Sequence, residues 1–101
     1  MSAIAWLGGS ERELEIRSIL VGLWKDQRGS IYAVTPGTKL TFLSVTTTRP
    51  DGERRFTRDL ICTQDDTPLW GRAAGQFVGH VLENRVEWRR ESVVFVWDKL
   101  Q

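Results

Sequence analysis

The chain has 101 residues, with 14 Lys and Arg against 13 Asp and Glu, and it is 41% hydrophobic and 27% charged. That length holds one domain, able to bury roughly 60 to 68% of its unfolded surface around a single core without a metal or disulfide staple. A net charge of +1 excludes strong whole-molecule attraction to nucleic acid or anionic lipid, and the composition excludes a disordered chain.

At the N-terminus Ile4, Trp6 and Leu7 form an apolar arm. Met1 to Gly9 has no basic region, so it is not expected to act as a secretory signal. Ser10 and Glu13 have capping-box spacing, and Ile16, Ile19, Leu20 and Leu23 follow at helical intervals, which predicts a short helix starting near Glu11. Leu14 and Ile16 also alternate, and Ile19-Leu20-Val21 suits a strand, so the segment is expected to pass from helix to strand near Gly22. The division is an arm and helix start over residues 1–18 and a barrel-like domain over 19–101.

From Trp24 onward the punctuation is that of β structure. Asp26-Gln27-Arg28-Gly29, Pro36-Gly37, Pro50-Asp51-Gly52, Asp65-Asp66-Thr67-Pro68 and Glu83-Asn84 separate segments of strand length. Seven or eight strands are predicted near Ile19 to Lys25, Ser30 to Thr35, Lys39 to Thr48, Arg54 to Thr63, Leu69 to Gly71, Gln76 to Leu82, Arg85 to Arg90 and Val93 to Lys99. Connections this short make sequence neighbours antiparallel neighbours, so the fold class is mainly all-β: a meander barrel or strongly curved sheet with a short N-terminal helix or arm.

The clearest hairpin crosses Pro50-Asp51-Gly52, and a three-residue loop there pairs Arg49 with Glu53. That register puts Phe42, Phe56, Leu60 and Cys62 on one face and Leu43, Val45 and Ile61 on the other, so cover is expected on both. Val93-Val94-Phe95-Val96-Trp97 does not alternate, and its outer face is expected to need a lid: the segment from Glu11 to Leu23, the N-terminal arm, or a partner protein. The longest apolar runs, Ile19 to Trp24 and Val93 to Trp97, are far short of the about 20 residues that cross a bilayer.

Gly22-Leu23-Trp24-Lys25-Asp26, Gly29-Ser30-Ile31-Tyr32, Arg49-Pro50-Asp51-Gly52, Leu69-Trp70-Gly71 and Val86-Glu87-Trp88 together form a pattern. It resembles a tryptophan- and glycine-punctuated β domain that recurs in predicted proteins of single-celled algae and related protists. The resemblance covers about residues 19 to 98. It implies a small β fold with core tryptophans, and it implies no activity or catalytic residues.

Residue chemistry narrows the function classes. Cys62 is the only cysteine and His80 the only histidine; neither has a companion for catalysis or ligation, so both are read as sheet residues, and neither a metal nor another cofactor is expected. Asp65 and Asp66 read as turn residues. Asp59 sits mid-strand among apolar residues, where a carboxylate needs a partner, and Arg55, Arg58 or Arg89 is expected to supply it. No phosphate loop, nucleophile elbow or carboxylate pair marks an enzyme.

Three binding roles remain. The favoured one is a non-enzymatic module docking on a partner protein in a larger assembly through Ile4, Trp6, Leu7, Phe95 and Trp97, because tryptophan is enriched at interface hot spots. A barrel binding a sugar, lipid or pigment through Trp24, Tyr32, Trp70 and Trp88 is an alternative, since eight strands enclose room for one small ligand. An OB-like or SH3-like nucleic-acid module is another; Arg54, Arg55, Arg58, Arg89 and Arg90 with nearby aromatics would track phosphates and stack bases. Glu53, Asp59, Glu87 and Glu91 lie close enough in sequence to neutralise much of that charge, which disfavours it. The expected setting is intracellular, soluble or peripherally attached to a complex.

Overall fold

A computed structural model describes residues 11–71 and 76–100 of the chain. One helix, α1 (Glu11–Leu20), precedes eight strands: β1 (Gly22–Asp26), β2 (Ile31–Pro36), β3 (Phe42–Thr48), β4 (Arg54–Gln64), β5 (Thr67–Trp70), β6 (Phe77–Val81), β7 (Arg85–Arg90) and β8 (Val93–Lys99). Each strand pairs antiparallel with the next. β1 then pairs with β8 through Trp24 and Lys99, Lys25 and Asp98, and Asp26 and Trp97, closing the barrel. The expected small all-β meander with a short helix is the fold observed.

The meander sorts its connections onto two ends. The β1–β2, β3–β4 and β7–β8 connections lie at one end, where β5 also ends and β6 begins; the β2–β3, β4–β5 and β6–β7 connections lie at the other, together with α1. α1 carries Glu11 and Glu13 in its first turn and Arg17 in its last, the signs that complement the helix dipole. Ile16 and Leu20, one turn apart on one face, are buried. The helix stops at Gly22, whose φ of 145° is open only to glycine and swings the chain directly into β1. Residues 19–21, expected as the start of the first strand, therefore belong to the helix and its exit, and the expected division after residue 18 falls inside α1.

Two tethers seat α1 on the barrel. The Arg17 guanidinium donates to the Leu40 carbonyl in the β2–β3 connection. The Trp24 indole Nε1–H donates to the Leu20 carbonyl at 2.8 Å, satisfying one of the carbonyls that a helix end leaves open. Below the helix lie Trp24, Trp88 and Trp97, all fully buried, with Val34, Leu43, Val45, Ile61 and Val86. Each of these tryptophans removes about 150–250 Å² from water, roughly 4–6 kcal/mol apiece as an upper figure.

Gly79 makes room for one of them. It faces Trp88 across β6 and β7, and a Cβ there would come within 2.8 Å of the Trp88 ring and 2.9 Å of Pro68. Pro68 itself is a strand residue of β5, because Asp65 and Asp66, both at positive φ, make the whole two-residue turn.

The β3–β4 hairpin has the expected tip. The Arg49 amide donates to the Glu53 carbonyl at 2.8 Å and the Gly52 amide to the Arg49 carbonyl at 2.9 Å. Farther along, Val45 pairs with Thr57 but Leu43 pairs with Ile61, so β4 carries a bulge opposite Ser44. Asp59 sits in it at φ 52°. The expected arginine partner of Asp59 is not its main contact: Asp59 accepts from the Thr38 amide at 2.8 Å and the Thr38 hydroxyl at 2.5 Å, while its own amide donates to Ser44 Oγ at 3.1 Å. The carboxylate clamps the β2–β3 connection, and these bonds hold its pKa below the ordinary value, with smaller help from Arg58 and Lys39.

Cover on both faces of this hairpin is not found among the described residues. Phe56, on the outer face, is 59% exposed. The lid expected over β8 is likewise absent among the described residues, since α1 enters the barrel end instead and Val94 stays exposed. In this outer row Arg89 of β7 stands between Val78 and Val94 in register and pairs with Glu87 at 3.6 Å, while both valines remain exposed.

Candidate functional site

The end opposite α1 is open. Its floor is aromatic: Tyr32 of β2 and Trp70 of β5 meet edge-on at 5.6 Å, and Trp70 meets Phe95 of β8 at 4.9 Å. Trp70 also packs against Trp88 at 5.3 Å and Trp97 at 4.9 Å, so its ring is the partition between the filled half of the barrel and the open half. The cavity has two adjoining lobes of about 390 and 370 Å³ that share Tyr32, Arg49 and Trp70. These sizes fall within the range of small-molecule sites.

Strand parity decides what lines the lobes. Trp24 of β1 pairs with Tyr32, Tyr32 with Thr47, and Thr47 with Arg55, so all four point inward. The first lobe is walled by Thr47, Arg49, Glu53, Arg55, Thr57 and Leu60. The second is rimmed by Asp26, Gln27 and Arg28 on one side and Val93, Val94 and Phe95 on the other. Arg90, two residues beyond Trp88 on the inner face, lies over the Phe77 ring at 4.6 Å, a cation–π contact that holds both at the same end.

A hydrogen-bonded set fixes this rim. Asp26 Oδ1 accepts from the Arg28 and Ser30 amides, each at 2.9 Å, and Asp26 Oδ2 accepts from the Tyr32 hydroxyl at 2.7 Å. Arg49 Nη1 donates to Ser30 Oγ at 3.2 Å. Burial raises the Asp26 pKa, but the hydrogen bonds from Tyr32 and the turn amides outweigh it and leave the carboxyl below its ordinary value. For Tyr32, burial and then the bond to Asp26 push the phenol up to about 12, against a smaller downward pull from Arg49. The phenol therefore stays a donor and its ring stays uncharged at neutral pH.

The sequence-derived candidates separate along the barrel axis. Of the expected ligand residues, Tyr32 and Trp70 line the open cavity, whereas Trp24 and Trp88 are fully buried beneath it. Of the expected docking residues, Phe95 lines the second lobe, but Trp97 is fully buried and presents no surface to a partner, because it faces inward opposite Val86. Ile4, Trp6 and Leu7 lie outside the described residues. The expected nucleic-acid arginines do not form one stripe: Arg55 and Arg90 point to the open end, Arg54 lies on the outer face of β4, Arg58 is exposed at its bulge, and Arg89 is on the outside of β7.

Arg49, Thr47, Thr57, Glu53 and Asp26 belong to the cavity and were not singled out from sequence as ligand residues. One signal was there. In a meander, the odd-numbered hairpins share an end, which groups Asp26, Arg49, Trp70 and Arg90 without any structure.

The remaining reactive groups are elsewhere. Cys62 is half-buried on β4, and burial raises its thiol pKa, away from reactivity. His80 is exposed opposite Glu87. Among the described residues no three His, Cys, Asp or Glu side chains group to hold a metal. The indole N–H groups of Trp88 and Trp97 are buried without a hydrogen-bond acceptor among the described residues; both rings stand edge-to-face at 5.1 Å.

No protein-family model, curated protein or solved structure matches this chain.

Proposed function

We propose that this protein is a small-molecule-binding β barrel that takes its ligand at the open end, between the Tyr32–Trp70–Phe95 floor and the rim of β1–β2 and β3–β4 residues. The observation that carries the reading is the asymmetry of the interior. One half is filled by tryptophans and stoppered by α1, while the other keeps a cavity of about 390 Å³ lined by the half-buried Trp70 ring and by hydrogen-bonding groups. Eight strands enclose enough width for one small ligand or for side chains alone, and here the two uses occur at opposite ends. The rim is held rigid by Asp26, Ser30, Tyr32 and Arg49 before any ligand arrives, which lowers the ordering cost of binding.

The docking reading rests on Ile4, Trp6 and Leu7, outside the described residues, and on Trp97, which is buried. The ligand reading draws instead on residues that converge on one cavity. A neutral flat fluorophore, N-phenyl-1-naphthylamine, tests it. Saturable one-to-one binding, seen as energy transfer from tryptophan and abolished by Thr57→Trp, which fills the first lobe, is the expected result. Absence of saturable binding, or binding unchanged in a folded Thr57→Trp variant, contradicts the proposal.

A further inference from the structure

Resting on that reading, we infer that the ligand is a planar organic oxyanion, an aromatic body bearing one carboxylate or phosphate group, with the acidic group held between Arg49 and Arg55. The inner-face register carries this. Thr47 stands directly opposite Arg55, and Arg49 follows two residues beyond Thr47 on the same face, so two guanidinium side chains wall one lobe.

Among the described residues neither arginine is in an ion pair with a carboxylate. Among the described residues the ion pairs are Arg12 with Glu15, Arg85 with Asp98 and Arg89 with Glu87; Arg49 and Arg55 are in none of them. Asp26, the acid of the second lobe, already accepts two amides and the Tyr32 phenol. Glu53, the remaining acid of the first lobe, is exposed at the hairpin tip. Arg49 donates to Ser30 Oγ and also engages the Tyr32 hydroxyl, which leaves further donors of the five a guanidinium carries. Ser30 and Tyr32 thereby position the group with donors left over.

The rest of the lobe supplies what such a ligand needs around its acid. Thr47 and Thr57 line the lobe with the arginines, and the half-buried Trp70 ring forms its floor beside Tyr32. Guanidinium forks match a planar oxyanion through paired hydrogen bonds, and aromatic faces take the flat body. A polymeric nucleic acid fits poorly, because Arg54 lies on the opposite face of the same strand. A compact acid that enters the mouth end-on meets both arginines.

Two fluorophores that share one ring skeleton separate this inference from the reading beneath it: 8-anilinonaphthalene-1-sulfonate, which carries the oxyanion, and neutral N-phenyl-1-naphthylamine. The sulfonate is expected to bind about tenfold or more tightly, the size that charge-assisted hydrogen bonds to arginine support. Arg55→Gln and, separately, Arg49→Gln should each erase most of that advantage while leaving the neutral compound within about twofold, with circular dichroism and the unfolding midpoint confirming the fold. Displacement of the sulfonate by naphthoate points to a carboxylate ligand and displacement by naphthyl phosphate to a phosphate, either one supporting the oxyanion. Equal affinity for both fluorophores, or an equal loss of both in the arginine variants, overturns the arginine clamp but leaves the cavity standing. Inorganic phosphate displacing the sulfonate as well as the naphthyl compounds overturns the planar body. No binding of either fluorophore overturns the cavity reading itself.

Discussion

The two ends of this barrel are built from the same strands and differ in what the side chains do with the space. At the helix end, Ile16 and Leu20 complete a core of Trp24, Trp88, Trp97 and aliphatic side chains, with nothing charged among the buried residues. At the open end, Trp70 is left partly uncovered above the buried Tyr32 ring, and Arg49, Arg55, Asp26 and Glu53 line the lobes around them. The first arrangement maximises burial; the second leaves unspent binding capacity. An eight-stranded barrel thus does not have to choose between a packed core and a ligand site, provided a partition such as Trp70 separates them.

Truncation should expose that contrast most strongly. Leu20→Ala removes a fully buried contact of the plug and is expected to cost about 2–5 kcal/mol in urea unfolding, whereas Val93→Ala at the open rim, 47% exposed, should fall within about 0.5 kcal/mol. Equal costs would mean that the open end is as tightly packed as the closed one. Next in size, Gly79→Ala pushes a methyl against Trp88 and Pro68 and should cost about 1–3 kcal/mol. A neutral result there would show that Trp88 has slack, contrary to the packed half described.

A third expectation concerns Tyr32, the only tyrosine of the chain, so its ultraviolet titration reports that residue alone. The midpoint should lie near 12 in the folded protein and near the ordinary 10.0 after denaturation. Because the folded value is the higher one, the stability it supplies is complete below pH 10.0 and is lost as pH rises through about 12. Asp26 has the opposite sign: its folded carboxyl lies below the ordinary 3.8, so its contribution is present above that pH and fades as pH falls through the lowered value. Asp26→Asn should bring the Tyr32 midpoint down. A midpoint at 10.0 in the folded wild type would dissolve the Asp26–Tyr32 rim.

Much of the barrel was legible because its turns announce themselves. Pro50-Asp51-Gly52 and Asp65-Asp66 fix where β3, β4 and β5 begin and end, and the alternation of Val86 and Trp88 marks the inner face of β7. The bulge at Asp59 was not legible, since a mid-strand carboxylate looks the same whether it meets an arginine or clamps Thr38. Nor was the plug. Helical spacing shows that Ile16 and Leu20 share a face, but which end of a barrel that face enters depends on the Arg17 contact to the β2–β3 connection, a long-range pairing. For the site, Tyr32 and Trp70 were found with Trp24 and Trp88 because residue type reveals inward-facing aromatics; it does not reveal their height along the barrel, which separates ligand floor from core.

The central claim is that ligand chemistry belongs to one end. Amide and indole nitrogen–proton spectra recorded during titration with 8-anilinonaphthalene-1-sulfonate test it most directly. The account predicts saturable shifts at the Trp70 indole and at residues 26–32, 47–57 and 93–95, with α1, Leu43 and Val86 unmoved. Shifts centred on α1, or on exposed Val78 and Leu82, with the open end silent would contradict it.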